Sequence, residues 1–185
     1  MTDLSRRKFM AVAGTGVASV WLTATFTDLV AAARHAATAQ HFDVLNPADA
    51  ADVEAFAAQI VPTDDTPGAR DARVVYFIDR GLSTFAKEQR PMLDKGLPEL
   101  RARVAKTQPG ATSFAALPGD KQTAIIAGLE KDKHPFFFFM RGATIAGMLA
   151  MPEYGGNYNK SGWRWIGFED KFSWGPPFGW YDRNV

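Results

Sequence analysis

The chain has 185 residues, of which 46% are hydrophobic and 22% charged, a composition that suits one globular domain with its own core. Its formal net charge is +1, which argues against a nucleic-acid-binding protein because such proteins carry a strongly basic surface. A nearly neutral surface protects poorly against association and so mildly favours a protein that sits in a complex. Because cysteine is absent, these residues form no disulfide, thiolate zinc site, iron–sulfur cluster or covalent haem attachment.

Residues 1–33 resemble a twin-arginine export signal, in which a hydroxyl residue and two arginines are followed two positions later by an aromatic residue. The matching positions are Ser5, Arg6, Arg7 and Phe9. A moderately apolar stretch follows, and residues 29–33 (LVAAA) offer small side chains at the spacing of a cleavage site. An uncleaved membrane anchor is the alternative, although the apolar stretch falls short of the roughly 20 residues that a span requires. We therefore expect export of the folded protein.

Residues 34–45 read as a linker, and residues 46–151 read as a helical domain. Apolar side chains recur there at helical spacing, and proline or capping residues precede several of the apolar runs. The predicted helices run from Pro47 to Val61, from Thr66 to about Phe85, from Pro91 to Lys106 with a candidate break at 96–98, from Gly119 or Asp120 through Leu129, and from Pro135 to Met151. The last of these is apolar nearly all round, which predicts a helix buried in the core.

Residues 152–185 form a tail rich in glycine, proline and aromatic side chains, in which no helical or strand period survives. The sequence shows no internal repeat and no second domain boundary. The predicted fold class is therefore all-α: a single small domain of about five helices with an irregular, aromatic-rich C-terminal tail.

A search for catalytic or metal-binding groups gives no convincing set. The three histidines have no metal-binding spacing, and His134 reads best as a capping residue. Asp64 and Asp65 are the most suggestive acidic pair, and they suit either a calcium site, a pair of catalytic carboxylates, or a loop whose acids cap the next helix. The last interpretation is preferred because no third acid lies nearby. We predict no catalytic, cofactor-binding or metal-binding residue in this chain.

The aromatic residues of the tail are candidates for a protein interface. Tryptophan and tyrosine dominate binding energy at many interfaces, and an irregular tail has few ways to bury so many of them against itself. The alternative is that they close the core of their own domain. The predicted interface residues are Tyr154, Asn157, Trp163, Trp165, Trp174, Phe178 and Trp180.

Three segments together resemble the gluconate 2-dehydrogenase subunit 3 family. They are the twin-arginine leader, the run from Ile60 to Ala69 (IVPTDDTPGA) with 75–79 (VYFID), and the run from Tyr154 to Asn157 (YGGN) with Gly162-Trp163 and Ile166-Gly167. The likeness spans most of the chain. Residues 173–178 (SWGPPF) have no counterpart in the pattern and could reflect a particular partner.

The resemblance implies a non-catalytic small subunit without a cofactor of its own. Members of this family pair with a large FAD-dependent subunit of the glucose–methanol–choline type, and a multihaem cytochrome c subunit often completes the complex. The large subunit oxidises a sugar, sugar alcohol or sugar acid in the periplasm. Since it often lacks an export signal, the small subunit's leader would carry both through the twin-arginine translocase. We expect the chain in the periplasm, either free or held on the inner membrane through its complex.

Two other functions remain open at this point. One is an independent periplasmic hydrolase that uses Asp64, Asp65 or Glu153. The other is a binding protein anchored by an uncleaved leader.

Overall fold

The computed structural model describes residues 41–171 and residue 173, and these residues form helices and loops without a β-strand. The α-helices are α1 (Pro47–Ile60), α2 (Val74–Ser83), α3 (Arg90–Thr107), α4 (Gly119–Lys131), α5 (Pro135–Leu149) and α6 (Ser161–Ile166). Short 3-10 helices cover Lys87–Gln89, Pro152–Tyr154 and Tyr158–Lys160. The predicted all-α class is confirmed. The predicted leader lies outside the described residues, and within them no helix is both long and apolar enough to cross a membrane.

Helix α5 is the centre of the domain, and α1, α2, α3, α4 and α6 all pack against it. Eleven of its fifteen residues are buried, as its apolar sequence predicts. The helix begins with Pro135 after His134, whose Nδ1 accepts a hydrogen bond from the amide of Phe136 at 3.3 Å. The capping interpretation of His134 is therefore confirmed.

Helix α3 runs through the break expected at 96–98, although it contains Pro98. Its buried side chains Leu93, Leu97 and Leu100 lie on both sides of the proline. Gly96 lies directly under the ring of Phe136, where an added Cβ would overlap the ring. Tertiary burial on both sides of Pro98 thus outweighs the cost of one lost backbone hydrogen bond.

Helix α2 begins at Val74, eight residues later than the proline signal at Thr66 predicts. The intervening chain folds as a loop, because the amide of Ala69 donates back to Val61 O and the amide of Val74 donates to Ala69 O. Arg73 adopts a left-handed conformation with φ of 54°, which interrupts any helix through this point. The proline at position 67 therefore marks a turn and not a helix start.

Two fully buried carboxylates fix the connections between helices. Asp79 on α2 accepts hydrogen bonds from the backbone amides of residues 43, 44 and 45 at 2.7, 2.9 and 2.8 Å. Asp52 on α1 accepts from Arg101 Nε at 2.9 Å, Ser113 Oγ at 2.8 Å and the amide of Ala115 at 2.9 Å. Asp79 thus holds the chain entering α1, and Asp52 holds the connection between α3 and α4. Because each carboxylate is fully satisfied, its burial is compatible with stability.

We predict that Asp79→Asn lowers the free energy of unfolding by about 2–4 kcal/mol, because an amide nitrogen cannot accept from the backbone amides that the second carboxylate oxygen now binds. Denaturant unfolding followed by circular dichroism measures this loss. The matched control is Asp94→Asn, which breaks an exposed ion pair with Arg90 and should cost less than about 0.5 kcal/mol. Equal losses in the two variants would show that Asp79 does not hold the entry to α1.

Candidate partner interface

The segment from Gly155 to Gly167 caps the C-terminal end of α5. The last carbonyls of an α-helix have no partner within the helix and need one elsewhere. Trp163 Nε1 donates to the carbonyl of Leu149 at 2.8 Å, and Asn157 Nδ2 donates to that of Ala150 at 2.8 Å. The segment thus completes the hydrogen bonding of the central helix.

Three glycines of this segment allow it to approach so closely. A Cβ on Gly156 would overlap the carbonyl oxygen of Gly147, and a Cβ on Gly162 would overlap that of Met148. Gly155 has φ of 100° and packs against the guanidinium of Arg80. Only glycine fits these positions without displacing the backbone of α5 or Arg80. The YGGN…GW pattern is therefore explained by helix capping.

Asn157 lies inside the fold, with no exposed surface. In addition to its bond to Ala150, its Oδ1 accepts from the amide of Gly162 at 2.9 Å and more distantly from that of Trp163 at 3.4 Å. Its assignment to the partner interface is corrected, because a buried side chain with these bonds has no surface to offer. Asparagine suits this place since it tolerates the left-handed conformation, here with φ of 46°.

The structure describes three of the six aromatic residues that were predicted at the interface. Tyr154 and Trp165 are partly buried and pack against the core, while Trp163 is half-buried and meets Phe168 edge to face at 5.2 Å. Tyr154 and Trp165 therefore help to close the core of their own domain. Trp174, Phe178 and Trp180 lie outside the described residues.

The segment carrying these aromatics is also more regular than expected, because α6 occupies residues 161–166 of a stretch in which no helical period was found. A helix of six residues is too short to show a period. Gly167 ends it with φ of 74°, and the amide of Phe168 donates back to Trp163 O at 2.8 Å, a helix ending that glycine favours.

Arg73 and Tyr158 form a contact that no sequence pattern indicated. The guanidinium carbon of Arg73 lies 3.7 Å from the centre of the Tyr158 ring, and the Tyr158 amide donates to Ala72 O at 3.1 Å. Both side chains are exposed, and 41% of Tyr158 remains accessible. The two residues lie 85 positions apart, so no local sequence signal could have paired them.

The backbone around this pair is strained. Arg73, Asn157, Asn159 and Lys160 all have positive φ, between 46° and 57°. For arginine and lysine this conformation costs on the order of 1–2 kcal/mol per residue, so neighbouring contacts must hold it. The bonds of Asn157 to α5 and of Tyr158 to Ala72 supply such contacts.

The acidic loop after α1 is ordered by its own hydrogen bonds. Asp64 accepts from the amide and the hydroxyl of Thr66, and these bonds lower the pKa of Asp64. Asp71 accepts from the Thr63 hydroxyl at 2.6 Å and the Gly68 amide at 2.9 Å, which lowers the pKa of Asp71. Asp64 and Asp71 thus order the loop, whereas the predicted capping of the next helix is wrong. Asp64 and Asp65 do not cap the next helix, since α2 begins only at Val74.

Among the described residues, no three acids or histidines lie close enough together to hold a metal ion.

A groove of about 330 Å³ lies between α3 and the start of α5. Its apolar floor includes Met92 and Phe136, and at its rim His134 Nε2 lies 3.2 Å from a Glu99 carboxylate oxygen. Because Nδ1 of His134 accepts a backbone amide, the proton of the neutral ring lies on Nε2 and points to Glu99. His134 and Glu99 are thus engaged with each other within the domain.

We predict that Asn157→Ala lowers the free energy of unfolding by about 2–4 kcal/mol, because it leaves the partly buried Ala150 carbonyl and the buried Gly162 amide without these partners. The matched control is Asn159→Ala, which alters a residue of similar φ on the exposed side of the same turn and should cost about 1 kcal/mol. Thermal and denaturant unfolding of both variants measure the difference. Equal losses would attribute the effect to backbone conformation and contradict the capping role.

Comparison with family models finds a match to the model described as gluconate 2-dehydrogenase subunit 3, over residues 47–170. The matched range contains α1 to α6, the acidic loop, the Arg73–Tyr158 pair and the segment that caps α5. Searches of curated proteins and of solved structures found no significant match. The family match covers well over half of the chain and agrees with the resemblance seen in its motifs. The chain therefore belongs to the gluconate 2-dehydrogenase subunit 3 family, whose name describes a subunit of a dehydrogenase complex.

Proposed function

We propose that this chain is the small, non-catalytic subunit of a periplasmic FAD-dependent dehydrogenase that acts on a sugar, sugar alcohol or sugar acid. The family match over residues 47–170 carries the proposal. The flavin would belong to a large partner subunit of the glucose–methanol–choline type, and haem c to a cytochrome c subunit where one is present. The partner would hold the substrate site.

The use of the buried polar side chains supports an accessory role. Asp52, Asp79 and Asn157 all bind backbone groups that fix connections between helices. Gln122 likewise donates to the carbonyls of Phe114 and Leu117. Catalytic groups must instead reach a substrate and often carry perturbed pKa values. These four buried side chains thus serve the architecture of the domain.

The positions of the acidic residues give little support to the alternative of an independent hydrolase. Asp64, which it would use as an acid or base, is held by Thr66 with a lowered pKa. A lowered pKa favours the ionised form, which suits an anion that orders a turn better than a proton donor near neutral pH. Asp65 and Glu153 are exposed on the surface, where solvent weakens electrostatic activation.

Export of the partner is the second part of the proposal. A flavoprotein must fold around its cofactor before it crosses the membrane, and a translocase for folded proteins can carry a bound partner. One leader on the small subunit then suffices for two chains. The leader residues Arg6 and Arg7 are the sequence feature on which this step depends. The complex would function in the periplasm, held on the inner membrane where a membrane-bound cytochrome subunit is present.

The test replaces Arg6 and Arg7 together with lysine in the native host. We expect the wild-type chain to co-purify with a flavoprotein from the periplasm. The double variant should retain both proteins in the cytoplasm, still bound to each other, because the substitution affects the export signal and leaves the folded domain unchanged. Fractionation, flavin absorbance of the purified complex and mass spectrometry of both chains supply the readouts.

Arg34→Lys is the matched control, because it makes the same replacement outside the signal and should leave export unchanged. A flavoprotein that still reaches the periplasm with the double variant would refute the escort role. A wild-type chain that carries no flavoprotein would refute the subunit role itself. The mass of the mature N-terminus separates a cleaved leader from the anchored binding protein considered above.

A further inference from the structure

We infer that Arg73 and Tyr158 form a docking contact for the large subunit, and that they bind a surface on which a carboxylate lies beside an apolar side chain. The inference rests on the proposed function and adds to it where the partner binds and which chemistry it presents. The two residues come from distant parts of the chain, since Arg73 precedes α2 and Tyr158 follows α5.

The pair combines two residue types that dominate binding energy at protein interfaces. The guanidinium carbon of Arg73 lies over the Tyr158 ring, 3.7 Å from its centre, and both side chains are exposed. Stacking uses the flat face of a guanidinium and leaves its N–H edge available for hydrogen bonding. An arginine held in this way can present two parallel donors to a carboxylate.

The charge of Arg73 is not neutralised within the described part of the chain. No described carboxylate lies within 4.0 Å of its guanidinium, whereas Arg70, three residues earlier, pairs with Glu54 at 3.8 Å. Lys160, two residues after Tyr158 in the chain, pairs with Asp170 at 2.6 Å. Unlike these two basic residues, Arg73 has no described carboxylate as a partner, so a partner protein's carboxylate would complement its charge.

The pair is held in place before any partner binds. Arg73 and Asn157, the residue before Tyr158, both adopt the left-handed conformation. Asn157 is fixed to the end of α5, and the amide of Tyr158 is bonded to Ala72 O. Backbone strain that the surroundings maintain is typical of functional positions. Fixing the side chains in advance reduces the entropy lost on docking.

The occupant that fits is the large subunit of the proposed complex, because an exposed arginine without a described carboxylate partner complements an acidic side chain, and the family name describes a subunit of a dehydrogenase complex. We expect the large subunit to place an aspartate or glutamate against Arg73 and an apolar side chain on the open face of Tyr158. A pair that serves only the stability of the domain is the competing outcome.

The test uses the full-length chain in complex with the flavoprotein that co-purifies with it, identified by its bound flavin. Variants Arg73→Gln and Tyr158→Ala are compared with Arg70→Gln, a nearby exposed arginine that already has a partner. Dissociation constants come from mass photometry of diluted complexes. We expect Arg73→Gln and Tyr158→Ala each to weaken binding at least about tenfold, and the control Arg70→Gln to weaken it less than about threefold. The Arg73→Gln complex should also be less sensitive to salt than the wild type.

The melting temperature of each isolated chain separates loss of binding from loss of folding. Tyr158→Phe provides a second variant at the same position, which keeps the ring under Arg73 and should bind nearly as tightly as the wild type. Variants that melt like the wild type and bind equally tightly would overturn this inference and leave the proposed function intact. Weakened binding only in proportion to lost stability would assign the pair a structural role and also overturn it. A wild-type chain that binds no flavoprotein would refute both proposals.

Discussion

The capping of α5 is the interaction on which the rest of this structure depends. A helix that is apolar nearly all round must be surrounded, and five other helices surround this one. The carbonyls at its C-terminal end then lie in partly buried surroundings, where an unpaired carbonyl is costly. Trp163 and Asn157 satisfy two of them, and Gly156 and Gly162 bring the chain close enough for them to do so. The family pattern around YGGN…GW is thus explained by the needs of one buried helix.

This cap links folding to the proposed role of the chain. By fixing Asn157 in a left-handed conformation, it holds the following Tyr158 at the surface under Arg73. The residues that would contact a partner are therefore positioned by a buried polar anchor one residue away. A small domain that uses Asp52, Asp79, Gln122 and Asn157 to fix its own connections can thus still present a specific surface, as the proposed accessory role requires.

The sequence predicted the parts of the fold that depend on local patterns. Helix α5 and the capping role of His134 follow from apolar content and capping chemistry, which act over a few residues. The predicted start of α2 was wrong because a Thr-Pro pair such as Thr66-Pro67 can mark a turn as well as a helix start. The burial of Asn157 and the pairing of Arg73 with Tyr158 depend on contacts between distant segments, which periodicity cannot reveal. Aromatic content pointed to the correct region, but it could not separate residues that close the core from residues on its surface.

The most direct test of this account is the hydrogen exchange of the Trp163 indole, measured by NMR on the full-length chain and assigned by loss of its signal in Trp163→Phe. Because the indole donates to Leu149 O at the end of the buried helix, we expect its proton to exchange as slowly as the backbone amides of α5. Exchange at the rate of a free tryptophan side chain would show that the segment does not cap the helix. The account of both the fold and the interface would then be contradicted.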